Sequence, residues 1–391
     1  MNKMKCNPWT LALLGAGIVS LPSIGMADEK VTPLQTALAS TTLSGYVDTS
    51  AQWNIGTGNA HLPPYAFGGT SKADGFNLNV VELRLDKPLD TGEQWSAGYR
   101  VDLLAGPDAN TLATQSSLTH GDFGVKQAYV ALHTPVGNGL DFKVGVWDTI
   151  IGYEVFESGN NPNITRSYGY TMEPTTHTGI LGTYTFSECL SANFGIADTF
   201  GPVINQRSAS PKAAESIKTY MGSFTYTAPT NTGFLAGSTL TACIIDGFNS
   251  GVAGPESETS YYVGATVNTP IKNLKAGACF DYMDVHNTSG ETYVIGAYLA
   301  YQATEKLSVY GRGEYVRDRG DQKFFGPNMP DRAMELTGTV QYDLWKNVMT
   351  RLEARWDHSL SGEGVWGGEN AFVPGTQKNA VALIAQAIYK F

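Results

Sequence analysis

Sixteen segments of this chain alternate apolar and polar residues at period two, and the connections between them alternate in length, long then short, from Leu43 to the last residue. The segments lie at 43–53, about 77–85, 95–103, 125–132, 140–147, 179–186, 191–196, about 217–227, 234–245, 261–268, 274–282, 292–301, 307–316, 333–342, 348–356 and 381–391. Period two places successive side chains on opposite faces of a strand, and most of the segments have the length that a tilted strand needs to cross a bilayer. A β-sandwich has no reason to keep one end short-looped and the other long-looped all the way round, and no blade-like repeat points to a propeller. An outer-membrane barrel has such a reason: short turns face the periplasm and longer loops face outward, and an even strand number brings both termini to the periplasmic side. The expected fold is all-β, a transmembrane antiparallel up-and-down β-barrel of about 16 strands over residues 43–391.

The last segment, V-A-L-I-A-Q-A-I-Y-K-F, puts Val381, Leu383, Ala385, Ala387, Tyr389 and Phe391 on one face and Gln386 and Lys390 on the other. An apolar strand at a terminus is a sticky edge, and barrel closure removes it by pairing the last strand with the first.

Elsewhere the ions share one parity. Trp95, Ala97, Tyr99 and Val101 read as outer, as do Leu140, Phe142, Val144, Val146, then Leu307, Val309, Gly311, Tyr315, and Leu352, Ala354, Trp356. On the other parity fall Arg100 with Asp102, Asp141 with Lys143, Arg312 with Glu314, and Arg351, Glu353 and Arg355. An Arg or Lys turned to lipid at mid-bilayer costs about 2 to 4 kcal/mol, so these ions are expected inside, facing water. In strands two and four apolar residues occupy both parities, and the pattern alone leaves their register open.

Composition agrees. Gly numbers 44, Tyr and Phe together 36, and charged residues make up 16%; the mean hydropathy of −0.17 is too polar for a helical membrane protein. The net charge of −10 and the absence of a basic stretch argue against nucleic-acid binding. Residues 1–27 read as a secretory signal: Lys3 and Lys5, an apolar run from Leu11 to Val19, Pro22, and Gly25-Met26-Ala27. Its removal would leave 24 basic against 36 acidic residues. Residues 28–42 form a short lead-in, read as a periplasmic segment with room for a helical turn.

Cys6 lies in the signal, and the odd remainder, Cys189, Cys243 and Cys279, excludes a complete disulfide set. These three are expected as small buried or lumenal thiols, with Cys243 and Cys279 two strands apart. His61, His120, His133, His177, His286 and His358 show no metal-ligand spacing, and no G-x-S-x-G elbow occurs. No catalytic residue, metal or cofactor is assigned; His177, among Ser and Thr residues, is the one conceivable base.

The alternating strands, the signal and the terminal Phe resemble Gram-negative porins. More narrowly, S-G-Y-V-D-T-S-A-Q-W-N, V-K-Q-A-Y-V-A-L-H-T-P-V-G-N-G-L-D-F-K-V-G-V-W-D-T-I-I-G-Y-E and G-Y-T-M-E-P-T-T-H-T-G-I resemble the β-barrel porins of the OmpL-like type. The resemblance implies a water-filled channel for passive diffusion of small hydrophilic solutes in the outer membrane, with lipid and solutes as partners and a homotrimer among the assemblies left open. It also implies that the third long stretch, Asp148 to Thr176, folds into the lumen. That stretch carries Asp148, Glu154, Glu157, Arg166 and Glu173, and would form a constriction with wall residues such as Arg100, Lys143, Arg312, Arg351 and Arg355. Asp102, Glu314 and Glu353 complete the pore-lining candidates, and the clustered Arg312, Arg351 and Arg355 are the candidates for an anion-attracting patch. The alternatives are a loop that stays outside as a cap, and a non-conducting barrel serving as adhesin or scaffold through its long loops.

Overall fold

The computed structural model describes residues 40–391 apart from 57, 91–93, 115–120, 208–216, 249–256, 286–289 and 321–322. The signal reading of 1–27, most of the 28–42 lead-in, His120 and His286 therefore lie outside the described residues.

Sixteen strands form one closed antiparallel barrel in which each pairs with its sequence neighbours. They are β1 (Thr42–Ile55), β2 (Gly75–Lys87), β3 (Ser96–Ala105), β4 (Phe123–Thr134), β5 (Leu140–Asp148), β6 (Thr176–Ser187), β7 (Leu190–Ala197) and β8 (Thr219–Thr227). The second half comprises β9 (Thr239–Phe248), β10 (Ser257–Asn268), β11 (Leu274–Val285), β12 (Glu291–Gln302), β13 (Leu307–Arg319), β14 (Arg332–Trp345), β15 (Val348–Ser359) and β16 (Asn379–Lys390). The barrel closes where β1 meets β16, from Tyr46 opposite Lys390 to Ile55 opposite Val381. Phe391 then exchanges two backbone hydrogen bonds of 3.0 Å with Gly45, so no free edge remains at the terminus. Among the described residues two short helices occur, α1 (Pro107–Leu112) and α2 (Tyr168–Met172), both in loops at the long-loop end.

Trp95, Val144, Leu352 and Leu383 are exposed on the outer surface. Val146, expected beside Val144, is buried: Gly145, at φ 135°, breaks the pleat between them, and Val146 and Trp147 both end up covered. The segment 234–245 begins later than its pattern suggests. Gly233 and Gly237 hold positive φ in the preceding turn, a 3-10 turn spans Gly233–Leu235, and the strand starts at Thr239.

Strands two and four turn out to be bulged. Asp48 pairs with Val80 but Thr49 with Leu78, leaving Asn79 as an extra residue in β2; Asp102 pairs with Gln127 but Leu103 with Val125, leaving Lys126 extra in β4. An extra residue shifts parity within the strand. Hence Asn79 and Val80, and likewise Lys126 and Gln127, are buried as neighbours.

The interior departs from the expected water-filled tube. Trp147, Ile150, Ile151, Tyr168, Met172, Leu181, Met221, Ile245, Met283 and Val294 form an apolar cluster, drawn from the inward faces of β5–β12 and from the loop 149–175, here L3. Each such side chain contributes about 1.5 to 3 kcal/mol when fully removed from water, enough to make the loop a packed element of the fold. Cys243 and Cys279 are buried free thiols, whereas Cys189 sits partly exposed in the β6–β7 turn, away from the lumen.

Candidate functional site

L3 leaves β5 through Trp147, which is fully buried, and crosses the interior to the far wall. Tyr153 stacks on Tyr298 of β12 with ring centroids 4.0 Å apart. It fits there because Gly277 of β11 has no side chain; a Cβ at that position would collide with the Tyr153 hydroxyl.

From Tyr153 onward the wall ions bond to the loop itself. Arg312 Nη1 donates to Glu154 Oε1 at 2.8 Å and to the Thr165 carbonyl at 2.6 Å. Arg351 donates to the Ser158 and Asn161 carbonyls at 2.8 and 3.0 Å, and its Nε to Gln386 at 2.8 Å. Glu353 accepts from the Ile164 and Thr165 amides at 2.5 and 2.9 Å. Glu314 accepts from the Tyr168 and Gly169 amides at 2.8 and 3.1 Å, at the start of α2. Arg355 is held by Asp357 at 2.9 Å, donates to the Arg166 carbonyl at 2.8 Å, and lies under the Tyr65 ring at 3.8 Å. Arg166 donates to the Ile164 and Phe156 carbonyls and faces the Phe67 and Tyr170 rings.

These contacts supply donors and acceptors that an irregular backbone inside a barrel would otherwise lack. They also correct one expectation. Arg312, Arg351 and Arg355 are at most 3% exposed, so the loop closes over the patch expected to attract anions.

Closer to the other wall, Glu157 meets Lys126 at 2.8 Å and Arg84 at 2.9 Å, while Lys126 also reaches Asp148 at 2.7 Å. Burial pushes the Glu157 carboxyl up, but the Lys126 ammonium and the Arg84 guanidinium outweigh it and hold it well below the usual carboxylate range. Glu82, Asp102 and Glu157 converge closely enough to suggest a metal. Yet Arg84 bonds all three and Lys126 bonds Glu157, so side-chain cations fill the role an ion would have. Glu173, at the end of L3, is the opposite case: burial first, then the neighbouring Asp281, raises its pKa well above the ordinary 4.5.

Of the candidates named from sequence, Lys143, Asp148, Glu154 and Glu173 line open space, and Arg100 is partly exposed. Arg100 pairs with Asp102 at 2.8 Å with its side chain partly exposed, Lys143 lies over the Tyr129 ring at 5.0 Å, and Asp148 is partly exposed beside Lys126. A cavity of about 290 Å³ runs along L3 here. Its lining extends from Thr183, Ser191, Thr225 and Thr239, near the short turns, past Lys143, Asp148 and Phe156 to Leu112 on α1 at the long-loop end. Sequence reasoning missed Lys126 and Arg84, since the bulges in β2 and β4 hid the parity. The adjacent polar pair Lys126-Gln127 was the available signal. His177 is buried, its ring 5.2 Å from that of Trp147 and its Nε2 3.1 Å from Thr149 Oγ1.

A closed sixteen-strand barrel with one long loop folded inside is the architecture of outer-membrane porins. The chain belongs to the family described as "Putative beta-barrel porin-2, OmpL-like", whose model matches residues 40–391. A comparison with curated protein sequences finds no significant match. Solved structures with the same fold include an anion-selective porin from Comamonas acidovorans, 14% identical with a TM-score of 0.58, covering 90% of this chain and 99% of that one. The trimer form of OmpT, an outer membrane protein of Vibrio cholerae, is 14% identical with a TM-score of 0.56 and the same coverage. The outer membrane channel DcaP of Acinetobacter baumannii is 12% identical with a TM-score of 0.55, covering 90% and 97%. At these identities the likeness is one of fold.

Proposed function

We propose that this barrel is a passive diffusion pore of the outer membrane, with its termini on the periplasmic side and L3 as the element that narrows it. The observation that carries the reading is the cavity beside L3, whose lining reaches from the short-turn ends of β6–β9 to α1 among the long loops. Solutes would pass between L3 and the arc β2–β10, because the arc β12–β16 is filled by the loop. Arg100 stands opposite Asp86 and Arg84 opposite Asp102 on neighbouring strands, and Lys143 and Asp148 share β5, so a weakly selective passage for small hydrophilic solutes is expected. The trimer form of the OmpT relative supports a homotrimeric assembly here as well. Planar-bilayer recording of the refolded chain without residues 1–27 tests the pore: discrete conducting steps in KCl support it, and a barrel that inserts without conducting refutes it.

A further inference from the structure

The wall of the cavity is divided by chemistry. On β4, β5 and L3 it carries ions, Lys126, Lys143, Asp148, Glu154 and Glu173, whereas the inward faces of β6–β10 toward the short turns carry only uncharged groups. There the side chains bond to one another across strands. Thr183 Oγ1 donates to Asn193 Oδ1 at 2.7 Å and Asn193 Nδ2 to Ser223 Oγ at 3.0 Å. Thr225 and Thr241 share a hydrogen bond of 3.0 Å, and Thr266 Oγ1 donates to the Tyr153 hydroxyl at 3.2 Å.

We propose that this hydroxyl-and-amide face, with the Tyr153 ring at its upper edge, is a recognition surface for neutral polyhydroxylated solutes of about monosaccharide size. The inference rests on the pore reading and names the solute class that the pore favours. A hydroxyl carries one donor and two acceptor sites, and a primary amide two and two; the bonds above use only part of that capacity. The remainder faces the cavity, where it can exchange for the hydration of a sugar hydroxyl with matching donors and acceptors. The Tyr153 ring adds an apolar surface suited to the C–H face of a sugar ring. An ion gains no opposite charge from this arc. On the facing wall Lys126 is already matched by Asp148 and Glu157, and Lys143 lies over the Tyr129 ring with the carboxylates of Asp148 and Glu154 in the same lining. The volume, about 290 Å³, lies at the small end of ligand sites, about 300 to 1,000 Å³, which sets the size of the solute.

The test is liposome swelling with the refolded chain and three solutes of similar size and different charge: glucose, gluconate and glucosamine, with KCl conductance measured in parallel. Glucose is expected to enter about threefold or more faster than either charged analogue, the effect of roughly one net hydrogen bond. Joint Thr225→Val and Thr241→Val replacement keeps shape and β-branching while removing two hydroxyls, and should lower the glucose-to-gluconate ratio by about twofold or more. Asn193→Leu, made separately, should act in the same direction; heat-dependent gel mobility confirms that each variant is folded. A barrel that conducts KCl but admits glucose no faster than gluconate or glucosamine overturns the inference and leaves the pore intact. An unchanged ratio in both folded variants overturns it too. Absence of KCl conductance instead overturns the pore reading on which it rests.

Discussion

At Lys126 the barrel wall and the loop inside it share one ammonium group, held between Asp148 and Glu157 and 1% exposed. Removing one member of a buried charge cluster leaves its partners uncompensated and costs roughly 3 to 5 kcal/mol. Lys126→Met should therefore destabilise the refolded barrel by about that amount in urea titrations in detergent, whereas a surface ion pair such as Arg207 with Asp198 should matter by less than about 1 kcal/mol. Glu173 gives the pH dependence. Its pKa is raised in the folded protein, so the docked loop keeps a proton that a released loop gives up above its ordinary value of 4.5. Docking is then strongest at low pH and weakens as pH rises toward the elevated pKa. Hydrogen exchange at the amides around Glu173 should accelerate with pH more than the intrinsic chemistry requires as pH rises above the ordinary carboxylate value, and Glu173→Gln should remove the excess. A flat profile in the unmodified chain would contradict the assignment.

Among the elements, L3 does the structural work that a conventional core does elsewhere. Its backbone is satisfied by Arg312, Glu314, Arg351, Glu353 and Arg355, and its apolar side chains pack against the inward faces of β6–β12. Deleting residues 155–166 removes the segment that covers Arg351 and Glu353 and should raise single-channel conductance by about twofold or more, with a shift toward anions as the arginines meet water. Gly277→Val should disturb the same loop from the wall side by displacing Tyr153.

The strands were legible because lipid outside and polar groups inside impose period two on each of them, down to the parity of Arg100, Arg312, Arg351 and Arg355. The bulges at Asn79 and Lys126 were not, since one inserted residue cancels that period locally and can be located only against a partner strand. Nor does periodicity describe an irregular loop. Glu154, Glu157 and Arg166 could be named as charged members of L3, but which wall ions they meet depends on how the loop crosses the barrel. That the arginine cluster serves the loop instead of open water follows from this path.

For the whole molecule, closure between β1 and β16 and the filling of one side of the barrel are separate achievements. The first removes every strand edge; the second leaves the cavity beside L3, lined by β4–β10. Assembly belongs to this scale as well: a homotrimer should appear by mild crosslinking in detergent as a species near three times the monomer mass. Whether the sealed cylinder keeps an open path beside its inner loop is decided by single-channel recording of the refolded chain in planar bilayers. Steady, discrete openings in KCl that grow when residues 155–166 are removed are expected; a barrel that inserts and stays silent both with and without that segment would mean that no such path exists.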